Sequence, residues 1–158
     1  MKVAIGCDFS AYSEVCDRLA EYLEKEKGFE VIRCGAMAGN QQTDYVDAAS
    51  EVAEKIADKS ANYGILLCNT GTGVSIVANK VPGVRAALCY DQFSARISKL
   101  ANNANALAMS IRTCGEKLLK EIVDEWFDTP PSTEDHRVEF HRKVDLLDQK
   151  YRIDSPRD

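Results

Sequence analysis

The run Tyr63-Gly-Ile-Leu-Leu-Cys68 is followed at once by the short polar segment Asn69-Thr-Gly-Thr-Gly73. A continuous apolar run of this length is typical of a parallel strand that is buried on both faces. The two glycines allow the backbone to approach a ligand closely, and a helix is expected from about Val74. The segment therefore predicts a strand, a tight loop and a helix.

Apolar runs and amphipathic runs alternate along the rest of the chain. Four more strands are predicted at Val3-Ala-Ile-Gly6, Phe29-Glu-Val-Ile-Arg33, Val84-Arg-Ala-Ala-Leu-Cys89 and Ala104-Asn-Ala-Leu-Ala-Met109. Helical spacing connects them, at 11–27, 45–56, 91–101 and 115–127. This order indicates an α/β fold, a Rossmann-like three-layer sandwich with a five-stranded parallel sheet. A ligand is expected beyond the carboxyl ends of the strands.

The length of 158 residues predicts a single domain, 1–158. The Pro130-Pro131 step marks a boundary before a charged tail, 132–158. Helical spacing returns in this tail from about residue 134 to 152. We expect this C-terminal helix to pack on a partner subunit and not on its own sheet.

Composition limits the classes of function. The net charge is −5 and no run of Lys or Arg follows a phosphate backbone, so nucleic acid is not an expected partner. No apolar run approaches the ~20 residues that span a bilayer, so no membrane association is expected. The chain enters its first strand without the apolar stretch of a signal peptide, which predicts a cytoplasmic protein.

The distribution of cysteine and histidine excludes several kinds of site. None of the six cysteines stands in C-x-x-C spacing, so they are expected to be reduced thiols without a zinc site. The only two histidines are His136 and His141. Within the first 135 residues this excludes a Ser–His–Asp triad, a Cys–His pair and a histidine-ligated metal.

The loop after the third predicted strand is the richest candidate site. Its glycines and the backbone N–H groups of the following helix can bind an anion, such as phosphate or a developing oxyanion. Cys68, at the start of this loop, is either a base or nucleophile or a small buried hydrophobe. The loop matches neither a Walker A motif nor the dinucleotide fingerprint, and a simple tight turn is the alternative.

Other candidates each have a structural alternative. Asp8 is either functional or the cap of the next helix, for which Ser10 is an equally good residue. Tyr45 is alternatively a core residue, and at least one asparagine among Asn102, Asn103 and Asn105 is expected to serve turn geometry. The tail holds a basic cluster that forms either a solvated face or a phosphate grip. Its members are His136, Arg137, His141 and Arg142.

Four segments together resemble the type B ribose-5-phosphate isomerase family, which also contains the galactose-6-phosphate isomerase subunits. They are Val3-Ala-Ile-Gly-Cys-Asp8, Thr43-Asp-Tyr45, Gly64-Ile-Leu-Leu-Cys-Asn-Thr-Gly-Thr-Gly-Val-Ser-Ile-Val-Ala-Asn-Lys-Val-Pro-Gly-Val-Arg-Ala-Ala-Leu-Cys89 and Phe93-Ser-Ala-Arg96. The resemblance covers residues 1–127, with a looser match in the tail. It implies a homodimer or tetramer that needs no metal or organic cofactor. It also implies interconversion of an aldose phosphate and a ketose phosphate through a cis-enediolate.

The resemblance also implies roles for individual residues. Cys68 is the base that moves a proton between C1 and C2, and Thr70 assists proton movement on the sugar oxygens. The remaining matched positions bind the substrate: Asp8, Tyr45, Asn69, Gly71, Gly73, Ser75, Asn102 from the neighbouring subunit, and Arg137, His141 and Arg142 in the tail. The expected reaction is ribose 5-phosphate to ribulose 5-phosphate, in the pentose phosphate pathway. Alternatives are a tetrose or hexose phosphate substrate, or a non-catalytic sugar-phosphate-binding protein.

The chain departs from the family pattern at three positions where relatives carry histidine: Phe9, Tyr90 and Ala101. The histidine at the last position is credited with opening the furanose ring. The phosphate-binding tail aligns in two registers. One places Glu139 and Lys143 on the family's two arginines, and the other uses Arg137.

Overall fold

The computed structural model describes residues 1–8, 10–40 and 42–151, without the side chains of Ser10 and Ala11. Its strands are β1 (Lys2–Cys7), β2 (Glu30–Gly35), β3 (Tyr63–Cys68), β4 (Ala86–Leu88) and β5 (Ala106–Ser110). Its α-helices are α1 (Ser10–Lys25), α2 (Tyr45–Ala57), α3 (Thr72–Ala78), α4 (Gln92–Leu100), α5 (Glu116–Asp128) and α6 (Asp135–Lys150). The predictions for Phe9 and for Ser10 as a cap lie outside what is described.

The five strands form one sheet in the order β2-β1-β3-β5-β4, and every pair is parallel. The chain runs from β1 outward to β2 and then returns to the other side of β1 with β3. The carboxyl ends of β1 and β3 therefore form the switch point of the sheet, where ligands of such folds bind. The predicted five-stranded parallel sheet is confirmed.

Alternate residues of the central strands supply the two faces of the sheet. On one face Ile65 and Leu67 belong to a core with residues of α1, α4 and α5, including the fully buried Trp126. On the other face Leu66 and Cys68 belong to a second core with residues of α2 and α3. This arrangement confirms the predicted three layers.

The bounds of β4 and β5 differ from the prediction because one side chain takes over part of their pairing. The Asn105 amide accepts a hydrogen bond from the Arg85 N–H at 2.7 Å and donates one to the Gly83 carbonyl at 2.8 Å. These bonds hold residues 83–85 outside the regular ladder, so β4 is three residues long. Asn103 has a φ of 51°, which confirms that an asparagine here serves turn geometry.

The last helix, α6, contributes no buried residue. It contacts the rest of the chain through polar bonds: the Gly83 N–H donates to Asp148 at 2.8 Å, and Arg85 pairs with Asp145 at 3.1 Å. Several of its apolar side chains are exposed, including Phe140, Val144 and Leu147. That this helix packs on a partner subunit stays a prediction. No helix in the part of the chain that the structure describes has the length and apolar character to cross a membrane.

Candidate functional site

The loop after β3 is fixed to the end of β5. The Cys68 carbonyl accepts a hydrogen bond from the Ile111 N–H at 3.0 Å. The Asn69 carbonyl accepts one from the Ser110 hydroxyl at 2.7 Å. Because both strands are buried, these bonds place the loop firmly at the carboxyl edge of the sheet, close to the switch point.

Within this loop the Cys68 sulfur accepts a hydrogen bond from the Gly71 N–H, with N and Sγ 3.0 Å apart. The Cys68 residue is 5% exposed, at the carboxyl end of β3. A backbone N–H aimed at the sulfur is a donor that can stabilise negative charge developing there. The geometry is that of a thiol that can act as a base.

The environments of three other cysteines oppose such a role. A hydrogen bond with Cys7, reinforced by burial, raises the pKa of Cys16 far above its ordinary value. Burial and the charge of Glu51 raise the pKa of Cys34 to about 12, and burial also raises the pKa of Cys89. These thiols stay protonated at neutral pH. The prediction that they are packing residues is consistent with their complete burial.

Gly71 is required by the path of the loop. Its φ is 77°, which side chains rarely adopt. A Cβ atom at this position would lie 2.6 Å from Leu88 Cδ1 and 3.0 Å from backbone atoms of Met109. The loop therefore passes directly over the end of β5, which no residue larger than glycine permits.

The chain turns directly from this loop into α3, which begins at Thr72. The Thr72 N–H donates to the Thr70 hydroxyl at 3.3 Å, while the Ser75 N–H bonds to the Gly71 carbonyl. Gly73 and Val74 occupy the first turn, where N–H groups have no partner inside a helix. The Ser75 hydroxyl donates to the Thr72 carbonyl at 2.8 Å, so it stabilises the turn.

Asp8 and Tyr45 lie beside this loop. Cys7 pairs with Leu67 across β1 and β3, so the next residues of the two strands, Asp8 and Cys68, lie side by side. The Tyr45 ring covers Gly73, since a Cβ there would lie 2.9 Å from the ring. Tyr45 is 45% exposed, so it is not the core residue of the alternative interpretation. Asp44, directly before Tyr45, caps α2.

The structure does not bring all the predicted site residues together in one chain. Asn102 follows α4, which returns the chain to the amino end of the sheet, opposite Cys68.

The predicted tail residues lie on α6. The His141 Nε2 atom lies 2.8 Å from the carbonyl oxygen of Ala101, the residue before Asn102. Arg137 lies one helical turn before His141 on the same face of α6, and it pairs with Glu134 at 2.9 Å. Arg142 faces another direction and pairs with Glu139.

Two tyrosines at the loop were not among the site residues predicted from the sequence. The Tyr90 hydroxyl donates to the Thr70 carbonyl at 2.9 Å, and the Tyr12 hydroxyl lies 3.4 Å from the Asn69 amide oxygen. Two signals for Tyr90 were present in the sequence: its place after a predicted strand, and the histidine that relatives carry at this position. Among the residues described, no group of three or more His, Cys, Asp or Glu side chains could hold a metal ion.

Comparison with known proteins identifies a class of related enzymes. Ribose-5-phosphate isomerase B of Escherichia coli is 41% identical over 125 residues, 79% of this chain and 82% of that protein. D-erythrulose-4-phosphate isomerase of Pectobacterium atrosepticum is 40% identical over 128 residues, 81% of this chain and 83% of that protein. The relatives are thus sugar-phosphate isomerases.

Solved structures agree with these relatives. Ribose-5-phosphate isomerase B of Clostridium thermocellum superposes with a TM-score of 0.86 at 38% identity, covering 96% of this chain and 99% of that one. The enzyme of Mycoplasma genitalium with bound ribulose-5-phosphate gives 0.84 at 30% identity, covering 94% and 97%. These proteins are aldose–ketose isomerases.

The family model described as Ribose/Galactose Isomerase matches residues 3–144, and the chain belongs to this family. The resemblance seen in the sequence is confirmed.

Proposed function

We propose that this chain interconverts ribose 5-phosphate and ribulose 5-phosphate. The observation that carries the proposal is the hydrogen bond from the Gly71 N–H to the Cys68 sulfur at the switch point of the sheet. This bond shows that the proposed base, Cys68, lies beside the backbone amides of the same loop. The name of the Escherichia coli relative and the ligand of the Mycoplasma genitalium structure support the five-carbon substrate.

In the proposed reaction the Cys68 thiolate removes the proton from C2 of the open-chain aldose and returns it to C1. The hydroxyl proton on O2 moves to O1, and the Thr70 hydroxyl assists this transfer. Substrate and product are isomers, so no other reactant is needed. The backbone amides of Gly73 and Val74, which have no partner inside the helix, stabilise the negative charge of the cis-enediolate, which forms only during the reaction. Asp8 and Tyr45 contact the sugar.

We further propose that the working enzyme is a homodimer in which each site uses both chains. Cys68 and Asn102 lie at opposite ends of the sheet in one chain, so a site that contains both requires a second copy. His141 and Arg137 lie near Asn102, and they would approach the neighbour's substrate from the same side. Of the two alignments of the tail, we favour the one in which Arg137 binds the phosphate, because its side chain is positively charged. The other alignment places Glu139 at the phosphate, and the negative charge of Glu139 would repel that group.

The direct test is an isomerase assay on ribose 5-phosphate with the wild type and Cys68→Ala. Loss of one acid–base group lowers kcat by about 10²–10⁴-fold. Cys34→Ala is the matched control, since Cys34 is a buried cysteine in the same core. Both variants are compared by thermal unfolding to separate activity from folding. Full activity in Cys68→Ala would refute the proposed mechanism.

A second candidate is the same chemistry on a four-carbon substrate, since one relative is named D-erythrulose-4-phosphate isomerase. Values of kcat/KM for tetrose, pentose and hexose phosphates distinguish the candidates. The pentose is expected to have the highest value. A protein that binds these phosphates without isomerising any of them would be a non-catalytic relative.

A further inference from the structure

Three groups above the sheet are joined in one line of hydrogen bonds. The Tyr90 hydroxyl donates to the Thr70 carbonyl oxygen, at 2.9 Å. That carbonyl belongs to the same peptide group as the Gly71 N–H, which donates to the Cys68 sulfur at 3.0 Å. The peptide group between Thr70 and Gly71 therefore connects a phenol on the loop after β4 with the thiol at the end of β3.

This connection affects the sulfur in two ways. A hydrogen bond on a carbonyl oxygen polarises the peptide group and makes its N–H a stronger donor, because hydrogen bonds in a chain reinforce one another. It also fixes the orientation of the peptide plane. Gly71 has φ 77° and is conformationally permissive, so without an anchor this peptide can rotate and turn its oxygen toward the sulfur.

We propose that Tyr90 is a positioning residue that stabilises the thiolate of Cys68 through the Thr70–Gly71 peptide. Tyr90 does not have to touch the substrate for this role. The proposal deepens the proposed function and rests on it for the catalytic consequence, but the effect on the sulfur exists without any substrate.

The position of Tyr90 makes the hydroxyl effect separable from packing. Tyr90 is 42% exposed and belongs to neither of the two cores. Replacement by phenylalanine keeps the ring and removes only the donor. A large loss of stability is therefore not expected from this substitution.

The test measures the rate at which iodoacetamide alkylates Cys68, as a function of pH and without substrate. Alkylation transfers a carbamidomethyl group to the thiolate with release of iodide, so its rate reports the thiolate. Mass spectrometry identifies the modified cysteine, and Cys68→Ala verifies the assignment. We expect Tyr90→Phe to slow this alkylation at neutral pH about two- to tenfold. This is the effect of losing one hydrogen bond, the one from the Gly71 N–H to the sulfur, when the peptide is no longer anchored. In the isomerase assay kcat is expected to fall by a similar factor, with KM little changed.

Tyr22→Phe is the matched control, because the Tyr22 hydroxyl binds Asp124 far from the loop. It should alkylate at the wild-type rate. An unchanged rate in Tyr90→Phe would overturn the positioning role even if Cys68 proves essential. Conversely, slower alkylation in Tyr90→Phe together with full activity of Cys68→Ala would uphold the effect on the sulfur and refute the proposed function alone.

Discussion

The Gly71 amide nitrogen lies 3.0 Å from the Cys68 sulfur, and Gly71 itself adopts a left-handed φ of 77°. The two residues are three apart in sequence and close a small ring at the end of β3. A backbone amide of the loop is thus part of the electrostatic environment of the thiol.

Replacement of Gly71 by alanine should therefore damage both stability and activity. The positive φ costs about 1 kcal/mol with a side chain, and the contact with the Met109 backbone adds about 1–3 kcal/mol. We expect the free energy of unfolding in urea to fall by about 2–4 kcal/mol. The isomerase activity of the folded fraction should also fall.

Gly28→Ala is the control for this prediction. Gly28 has a φ of 66°, but a Cβ atom at this position would meet no neighbouring atom within 4 Å. The variant should lose only the conformational part, about 1 kcal/mol. Equal losses in the two variants would contradict the close approach of the loop to β5.

Sequence patterns predict the strands well where burial alone determines them. The bounds predicted for β3, Tyr63 to Cys68, match the structure because this run lies in the interior of the sheet, with all but its first residue fully buried. Those of β4 do not match, because the pairing of Arg85 with the Asn105 side chain is a tertiary contact that no local pattern contains.

The site shows the same division. Cys68 and its loop could be predicted, since strand, loop and helix are contiguous in sequence. The contact of Tyr90 with Thr70 could not, because it depends on β5 lying between β3 and β4 in the sheet. Likewise, His141 meets Ala101 only because α6 lies along the amino end of the sheet.

The proposed shared site predicts recovery of activity in mixed dimers. Cys68→Ala and Asn102→Ala should each be weakly active. After subunit exchange, half of the dimers in an equal mixture contain both variants, and one of their two sites has both residues intact. We therefore expect about a quarter of wild-type activity in the mixture.

The control for the mixed dimers combines Cys68→Ala with Thr70→Ala. Both residues lie in the same loop of one chain, so no mixed dimer contains an intact site. Activity should not recover in this pair. Recovery in neither mixture would place Asn102 outside the neighbour's site.

Lys99 predicts a pH dependence of stability. Its residue is 3% exposed and its Nζ atom lies 3.4 Å from the centre of the Tyr63 ring and 4.0 Å from that of Trp126. Burial, with a smaller contribution from Arg85, lowers its pKa from 10.5 to about 7. Between these values the unfolded chain binds a proton that the folded chain does not, so Lys99 makes the fold more stable as pH rises.

Lys99→Met should remove this contribution. We expect the stability of the variant relative to the wild type to decrease by about 3–4 kcal/mol as pH rises from about 7 to about 10. Urea unfolding at several pH values measures it. Lys120→Met is the control, since Lys120 is a partly exposed lysine paired with Glu116. Parallel stability profiles for Lys99→Met and the wild type would show that the buried amine keeps its charge.

His141 is expected to act on the closed form of the sugar. Its Nε2 atom lies 2.8 Å from the Ala101 carbonyl, beside the position where the family resemblance places a ring-opening histidine. Ribose 5-phosphate is largely a furanose, whereas erythrose 4-phosphate cannot form this ring because its O4 carries the phosphate. His141→Ala should lower kcat/KM on ribose 5-phosphate at least about tenfold, the lower range for an acid–base group. It should leave the activity on erythrose 4-phosphate nearly unchanged.

His136→Ala is the control, because His136 lies on the same helix, is exposed and pairs with Glu134. Equal losses on both substrates would instead assign His141 to a part of the substrate that both sugars share, such as the phosphate.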